Sequence, residues 1–341
     1  MNKPPPENSA KPDGQEPFLP TSRVGPAPRV ALALIGAAGI VTLLLAGPVD
    51  YAWTRAVATH TDTWFVVVMA NSIFEGESPG AGDVALLYLA CAVVLYILSW
   101  RTGSPSWIRR LRPRLGYIVT TGLMTGLYTV HSLKWILGRA RPRSVYKGHF
   151  DFSHWYEMGP QFVADGPFRG SFPSGHTACA FMFMALAYAL AGSRGRPATR
   201  LAGFALGVIS LSYAAAMGLA RMMASAHWLT DVVGVIALNW FLMHAIYYWG
   251  LRIPDQETYV QRTGTPPPVR FLLEVRICWH MFLVCLGIMG VCIGIRALLM
   301  RNAPWLIVLS PVGVILLVAG SRRLHKLGFL QTRGPALKQA S

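Results

Sequence analysis

The chain has 341 residues, of which 53% are hydrophobic and 13% are charged, and its mean hydropathy is +0.41. Apolar stretches of about 20 residues, the length that crosses a bilayer, recur along most of it and exclude a large soluble domain. The formal net charge of +16 would suggest nucleic acid as the partner of a soluble protein. Here the basic residues cluster between apolar stretches, as in cytoplasmic loops, so no nucleic-acid partner is expected.

The predicted fold is an all-α polytopic membrane protein with about eight spans. Residues 1–28 are rich in proline and polar groups and are predicted to be a disordered cytoplasmic tail. Residues 50–81, which mix aromatic and charged side chains, are predicted to lie in the outer interface. The eight predicted spans are 30–48, 82–100, 115–134, 175–193, 201–219, 230–250, 276–297 and 304–320.

The order of these spans predicts five regions. The predicted regions are the tail 1–28, a six-helix core at 29–252, a cytoplasmic linker at 253–275, two additional C-terminal transmembrane helices at 276–320, and a basic tail at 321–341. Groups of Lys and Arg follow the second, fourth and sixth spans and the last one. All of these groups lie on one side if the first span runs outward, so both termini are predicted to be cytoplasmic.

The five cysteines lie in predicted spans. Cys278, Cys285 and Cys292 recur every seven residues, which is a rise of roughly 10.5 Å per step on a helix. That distance is too long for a disulfide or a shared metal. They are interpreted as packing residues.

The first polar cluster, KWILGRARP, lies at the outer end of the third predicted span. Lys134 and Arg141 are two helical turns apart and would project from one face if the helix continues, although the following proline disfavours helix there. Two cations near an interface suit a phosphate. Arg139, Arg143 and Lys147, taken alone, are interpreted as side chains that extend to lipid headgroups.

The second cluster, SFPSGHTACA, opens the fourth span from the outside. Ser174 is a predicted N-cap, and the N–H groups and dipole of a helix start favour an anion. Gly175 has no side chain, so its backbone can approach a phosphate closely. A Pro-Ser-Gly turn is ordinary by itself, but the adjacent His176 is well suited to proton transfer near neutral pH.

The third cluster lies in ARMMASAHWLTDVVGV, between the fifth and sixth spans. His227 and Asp231 are four residues apart, so on a helix they would share a face and the carboxylate would accept the imidazole N–H. That bond would leave the other ring nitrogen as a base or a nucleophile. Arg221, six residues before the histidine, adds a further cation.

The inferred topology places all three clusters at the outer side of the membrane. Together they supply several phosphate donors, a candidate nucleophile with an orienting acid, and a candidate general acid, and phosphoryl transfer needs little more. None of the clusters has the spacing of metal ligands, so neither a metal nor another cofactor is expected. The spacing leaves open which histidine is the nucleophile.

The three clusters resemble the motifs of the type 2 phosphatidic acid phosphatase superfamily, which are Lys-x6-Arg-Pro, Pro-Ser-Gly-His and Ser-Arg-x5-His-x3-Asp. Here they read from 134 to 142, from 173 to 176 and from 221 to 231. Order, spacing and membrane side agree with the family, and the resemblance covers roughly 30–252. One departure is Ala220, where the family pattern has Ser.

The resemblance implies a metal-independent phosphohistidine mechanism. His227 would attack phosphorus in line, and Asp231 would orient its imidazole. His176 would protonate the leaving oxygen and then activate water. The groups that would hold the phosphate oxygens are Lys134, Arg141, Ser174, Gly175 and Arg221.

The implied substrate is a lipid with a phosphate or diphosphate headgroup, reached from the periplasmic or outer face of a bacterial inner membrane. Among the lipids on which family members act, undecaprenyl diphosphate or another outer-leaflet lipid phosphate is the preferred candidate substrate. The loop 143–172 is predicted to lie over the site and to contribute to lipid selectivity; its aromatic residues are Phe150, Phe152, Trp155, Tyr156, Phe162 and Phe168.

Two alternatives stay open. Some members of the family transfer phosphate instead of releasing it. A transporter or flippase for an anionic lipid would use Lys134, Arg141 and Arg221 for binding without chemistry, since charges inside membranes also mark transport paths. Such a binding site does not require two histidines and a carboxylate.

Overall fold

The computed structural model describes residues 24–60, 63–73, 78–162, 170–192, 197–267, 271–301 and 303–326. Throughout these ranges the regular secondary structure is helical, without strands. Most of the two predicted tails, at residues 1–23 and 327–341, and Phe168 of the predicted loop lie outside the described residues.

The α-helices are, in chain order, α1 (Pro26–Ala46), α2 (Asp50–Thr59), α3 (Thr63–Ala70), α4 (Ala81–Leu98), α5 (Ser106–Arg110), α6 (Arg112–Thr121), α7 (Val130–Leu137), α8 (Pro142–Tyr146), α9 (Gly175–Phe181), α10 (Phe183–Ala191), α11 (Pro197–Met223), α12 (Leu229–Ala245), α13 (Ile253–Thr263), α14 (Phe271–Met300) and α15 (Leu309–Lys326). A π-helical stretch, Gly122–Thr129, joins α6 to α7, and another, Ile246–Gly250, extends α12. The first part of the predicted linker is therefore helical, as α13.

Within the described residues, six helical segments are long and apolar enough to cross a membrane. They are Pro26–Thr59, Ala81–Leu98, Pro197–Met223, Leu229–Gly250, Val275–Met300 and Pro304–Lys326. The fourth predicted span is a shorter apolar segment, Gly175–Ala191, and the third lies in the helical run from α6 to α7. The all-α polytopic membrane fold is confirmed.

The exposed surface of these helices has the character of a lipid-facing surface. Leu45 of α1 is 71% exposed and Leu201 of α11 is 70% exposed. In water, apolar patches of this kind would drive association. Inside the bundle, α9 to α12 meet around a core that includes Phe181, Met217 and Met243.

Helices α14 and α15 pack mainly against each other. Close approach is possible because Gly290 has no side chain, and Leu309 O lies 3.0 Å from where its Cβ would be. Helix α14 also contacts α7. This contact connects the additional helices to the segment that carries Lys134.

A buried arginine helps to connect α14 to the segments that precede it. Arg296 of α14 is fully buried. Its Nη1 donates to Trp135 O at 3.0 Å, and its Nη2 donates to Gly159 O at 2.7 Å and to Gln161 O at 2.9 Å. The guanidinium also lies 4.4 Å from the centre of the Phe162 ring. Arg296 thus holds the end of α7 and the segment after α8 against the additional helices.

We expect Arg296→Met to destabilise the protein. Three carbonyl groups would lose a charged donor, and one such bond contributes about 1.5–3 kcal/mol, so we expect the free energy of unfolding to fall by about 3 kcal/mol. Thermal unfolding in detergent measures the change. Arg301→Met is the matched control because Arg301 is exposed directly after α14. An equal effect of both substitutions would contradict the anchoring role.

Candidate active site

The first motif lies where α7 ends and α8 begins. Lys134 is in the last turn of α7 and is only 8% exposed. Gly138 ends the helix with a φ of 58°, in the left-handed region that favours glycine. Arg141 follows in extended conformation as the N-cap residue of α8. The helix therefore does not continue from Lys134 to Arg141, and the predicted shared helical face does not form.

The second motif forms the start of α9. Ser174 is its N-cap, as predicted, and its Oγ accepts the Thr177 backbone N–H at 3.5 Å and the Thr177 hydroxyl at 2.9 Å. At Gly175, the nearest neighbour of an added Cβ would be a Val130 methyl at 3.6 Å. His176 is half-buried and lies against the start of α4.

The third motif is a turn between α11 and α12. Arg221 is in the last turn of α11, and its carbonyl accepts the N–H groups of Ala226 at 2.9 Å and His227 at 3.3 Å. Because α12 begins only at Leu229, His227 and Asp231 do not share a helical face, and that prediction is wrong. The turn nevertheless brings Nδ1 of His227 to 3.4 Å from Oδ2 of Asp231.

Both oxygens of Asp231 are occupied. Oδ1 accepts from Nη1 of Arg139 at 2.8 Å. Oδ2 accepts from the Ser171 hydroxyl and, at 2.8 Å, from the Trp228 backbone N–H. The distance of 3.4 Å to His227 is longer than an ordinary hydrogen bond. In enzyme active sites, contacts of this length often shorten only when substrate binds.

Two hydrogen bonds connect the third motif to the other two. The indole Nε1 of Trp228 donates to Ala140 O at 2.8 Å, which connects it to the first motif. The backbone N–H of Ser174 donates to Asp231 O at 3.2 Å, which connects it to the second. Three segments that are distant in the chain therefore form one site.

The cations of the motifs surround the two histidines. Lys134, Arg141 and Arg221 are close enough to act electrostatically on both His176 and His227. Burial, and then these positive charges, lower the pKa of the His227 imidazole well below its usual range. At neutral pH the ring is therefore uncharged and keeps a lone pair, which is the form that attacks an electrophile.

The interpretation of Arg139 as a side chain that extends to lipid is wrong. Arg139 is fully buried and donates to Asp50 and Thr230, which are 89 and 91 residues away in the chain. Arg143 and Lys147 are exposed. Asp50 is buried too, although its segment was predicted to lie in the interface. No local pattern distinguishes Arg139 from its exposed neighbours, because its partners come from distant segments.

The aromatic residues of the loop 143–172 lie in different environments. Phe152 lies edge-on against Trp228, with ring centroids 4.9 Å apart, next to the third motif. Phe162 is buried in a cluster with Ile293 of α14, so for this residue the prediction is wrong. Tyr156 is 64% exposed at the surface.

Three further features of the sequence analysis can be located in the structure: possible metal ligands, the cysteines and Ala220. Among the residues described here, no group of three or more His, Cys, Asp or Glu side chains is arranged to hold a metal ion. All five cysteines are free thiols. Ala220, the departure from the family pattern, is fully buried beside Arg221.

Comparison with known proteins gives a match to one family model and to one relative. Residues 114–254 match the model of the PAP2 superfamily. A lipid A 1-phosphatase of Rhizobium etli (strain ATCC 51251 / DSM 11541 / JCM 21823 / NBRC 15573 / CFN 42) is 33% identical over 194 residues, which cover 54% of this chain and 65% of that protein. No solved structure gives a significant match. The segment that matches this family model contains all three motifs and the site that they form, so the chain is similar to the PAP2 superfamily over this segment.

Proposed function

We propose that this protein is an integral membrane phosphatase that removes phosphate from a lipid through a phosphohistidine intermediate. The observation that supports this best is the buried pair of His227 and Asp231, 3.4 Å apart, with three cations from the first and third motifs close enough to act electrostatically on the histidine. A neutral imidazole next to a carboxylate is an activated nucleophile. A binding site for transport has no need of this pair, so hydrolysis is favoured over transport.

The reaction has two steps. His227 attacks phosphorus, the N–P bond forms as the P–O bond to the lipid breaks, and His176 gives a proton to the departing oxygen. Water then attacks the phosphohistidine, His176 takes a proton from that water, and inorganic phosphate leaves as the N–P bond breaks. Asp231 holds the imidazole and stabilises the positive charge that develops on it.

Charge on the phosphate is neutralised by cations of the first and third motifs. Lys134, Arg141 and Arg221 are the cations, and charges fixed in a buried site stabilise a transition state more than they would in water. The start of α9 at Ser174 and Gly175 adds backbone dipoles that favour an anion.

We place the site at the outer face of the inner membrane, with both termini in the cytoplasm. The basic stretch 109–114 precedes and begins α6, and Lys134 lies near the other end of the same helical run. The preference of Lys and Arg clusters for the cytoplasm therefore supports an outward-facing site.

Accessibility labelling tests this orientation. We expect Tyr156→Cys to react in intact cells with a maleimide that does not cross membranes, because Tyr156 is exposed and lies between the first and second motifs in the chain. Arg262→Cys, exposed on α13, is expected to react only after the cells are opened. The reverse pattern would contradict the proposed orientation.

The proposed substrate is a lipid phosphate of the outer leaflet. Undecaprenyl diphosphate is the first candidate. Lipid A is tested beside it because the relative from Rhizobium etli is a lipid A 1-phosphatase.

Phosphate release from purified protein in detergent tests the function. We expect release from at least one of undecaprenyl diphosphate, lipid A, phosphatidate and phosphatidylglycerol phosphate, at a rate that a chelator does not change. No release from any lipid would contradict the proposal, and loss of activity with the chelator would contradict the metal-independent mechanism. Transfer of the phosphate to a second lipid would identify the phosphotransferase alternative.

A further inference from the structure

The Arg139 guanidinium is held on three sides. Its Nε donates to Ser153 O at 2.8 Å. Its Nη1 donates to the Thr230 hydroxyl at 2.7 Å and to Asp231 Oδ1 at 2.8 Å, and its Nη2 donates to Asp50 Oδ2 at 2.7 Å. The planar guanidinium of arginine can donate in several fixed directions at once, and the ammonium group of a lysine does not reproduce this geometry.

Asp50 completes a closed ring around the start of α12. It is the first residue of α2, and its Oδ1 accepts the Thr230 backbone N–H at 3.0 Å. Its Oδ2 accepts both the Thr230 hydroxyl, at 2.5 Å, and Arg139. The residue directly before Asp231 is therefore fixed by two side chains from distant segments.

The three charged side chains of this ring are removed from water. The exposed fractions of the Arg139, Asp50 and Asp231 side chains are 1% or less. Buried ion pairs are costly to desolvate, and replacing them with apolar residues often stabilises a protein. Stability is thus a poor explanation for the ring, and its position beside the His227–Asp231 pair indicates another.

The ring fixes the direction of one carboxylate. Arg139 holds Oδ1 of Asp231, while Ser171 and the Trp228 N–H hold Oδ2. With both ends held, the carboxylate cannot rotate, and Oδ2 stays directed at Nδ1 of His227. Without Arg139, Oδ1 loses its charged donor and the carboxylate is free to turn.

We propose that Arg139, held by Asp50, is a positioning residue for the phosphohistidine chemistry, which it assists by fixing Asp231 against His227. This inference rests on the proposed function. Arg139 acts through Asp231 and does not hold the phosphate. A misplacement of about 1 Å in such a group reduces a rate by about 100-fold.

The kinetic test separates positioning from phosphate binding. On the lipid that the wild-type protein hydrolyses best, we expect Arg139→Met to lower kcat by about 100-fold with KM changed by less than about threefold. Arg139→Lys and Asp50→Asn are expected to lower kcat less, by about 10-fold, and to fold more readily. Arg143→Met, an exposed neighbour, is the matched control. An unchanged kcat in the Arg139 variants, or a rise in KM without a fall in kcat, would overturn the proposal.

Anion binding tests the same inference without turnover. Orthovanadate accepts a bond from a nucleophilic nitrogen, whereas inorganic phosphate is held by the cations alone. By calorimetry in detergent, we expect Arg139→Met and Arg139→Lys to weaken orthovanadate binding by at least about 10-fold and phosphate binding by less than about twofold. Equal effects on the two anions, or no effect on orthovanadate, would overturn the inference. Absence of lipid hydrolysis in the wild type would instead contradict the proposed function and leave this binding result to decide the role of Arg139.

Discussion

His227→Gln is expected to abolish phosphate release, with a loss of about 10⁴-fold or more, because no other group described in the site takes over as the nucleophile. Glutamine keeps much of the size and one polar edge of the imidazole, so the buried turn between α11 and α12 keeps its packing. The measurement is phosphate release in detergent together with trapping of acid-labile label on the protein from a ³²P-labelled lipid. We expect the variant to form no labelled protein.

His60→Gln is the matched control because His60 is exposed at the end of α2. It is expected to release phosphate and to trap label like the wild type. Label that persists in His227→Gln and is lost in His176→Gln would assign the nucleophile to His176. Release by His227→Gln within about 10-fold of the wild type, with no label trapped on the protein, would contradict the covalent mechanism altogether.

His176→Gln is expected to lower the release of phosphate from an alkyl ester by about 10²–10⁴-fold, the usual contribution of a general acid and base. His176 is half-buried at the start of α9, whereas His227 is 1% exposed, so His176 is the more accessible of the two to a leaving group and to water. This difference in exposure is consistent with His227 as the nucleophile and His176 as the acid and base.

A substrate whose leaving oxygen needs no proton tests whether His176 acts as the general acid. With a nitrophenyl phosphate ester, we expect His176→Gln to release about one nitrophenol per protein rapidly and then to stall, since phosphorylation no longer needs an acid while hydrolysis still needs a base. Phosphorylated protein should therefore accumulate. An equal loss on the alkyl and nitrophenyl esters, without a burst, would contradict the assignment.

Hydropathy located the membrane helices well. The prediction of a span at 82–100 corresponds to Ala81–Leu98, and that of 230–250 corresponds to Leu229–Gly250. The reason is that the bilayer sets a length and an apolar composition that each helix satisfies by itself. The third span was also located, but its π-helical stretch, Gly122–Thr129, was not predicted, because an extra residue in a helical turn leaves no trace in hydropathy.

The motifs named the candidate site residues, but the local geometry predicted from them was wrong. Residue types in a fixed order were enough to name Lys134, His176 and His227. The assumption of continuous helix was wrong at two places, since Gly138 ends α7 and the turn before Leu229 places His227 outside α12. Turns with left-handed residues bring side chains together as effectively as a shared helical face does.

The sequence by itself determined the fold class, the approximate helix positions and the identity of the candidate site residues, because each depends on local apolar length or on residue types at short spacing. Only the tertiary structure decided that Arg139 contacts Asp50 and Asp231, and that Arg296 holds the segment at Gly159 and Gln161. An arginine at the end of a span has the same local pattern whether it extends to a headgroup or is buried. The outcome depends on which distant carboxylate or carbonyl the packed helices bring within hydrogen-bonding distance.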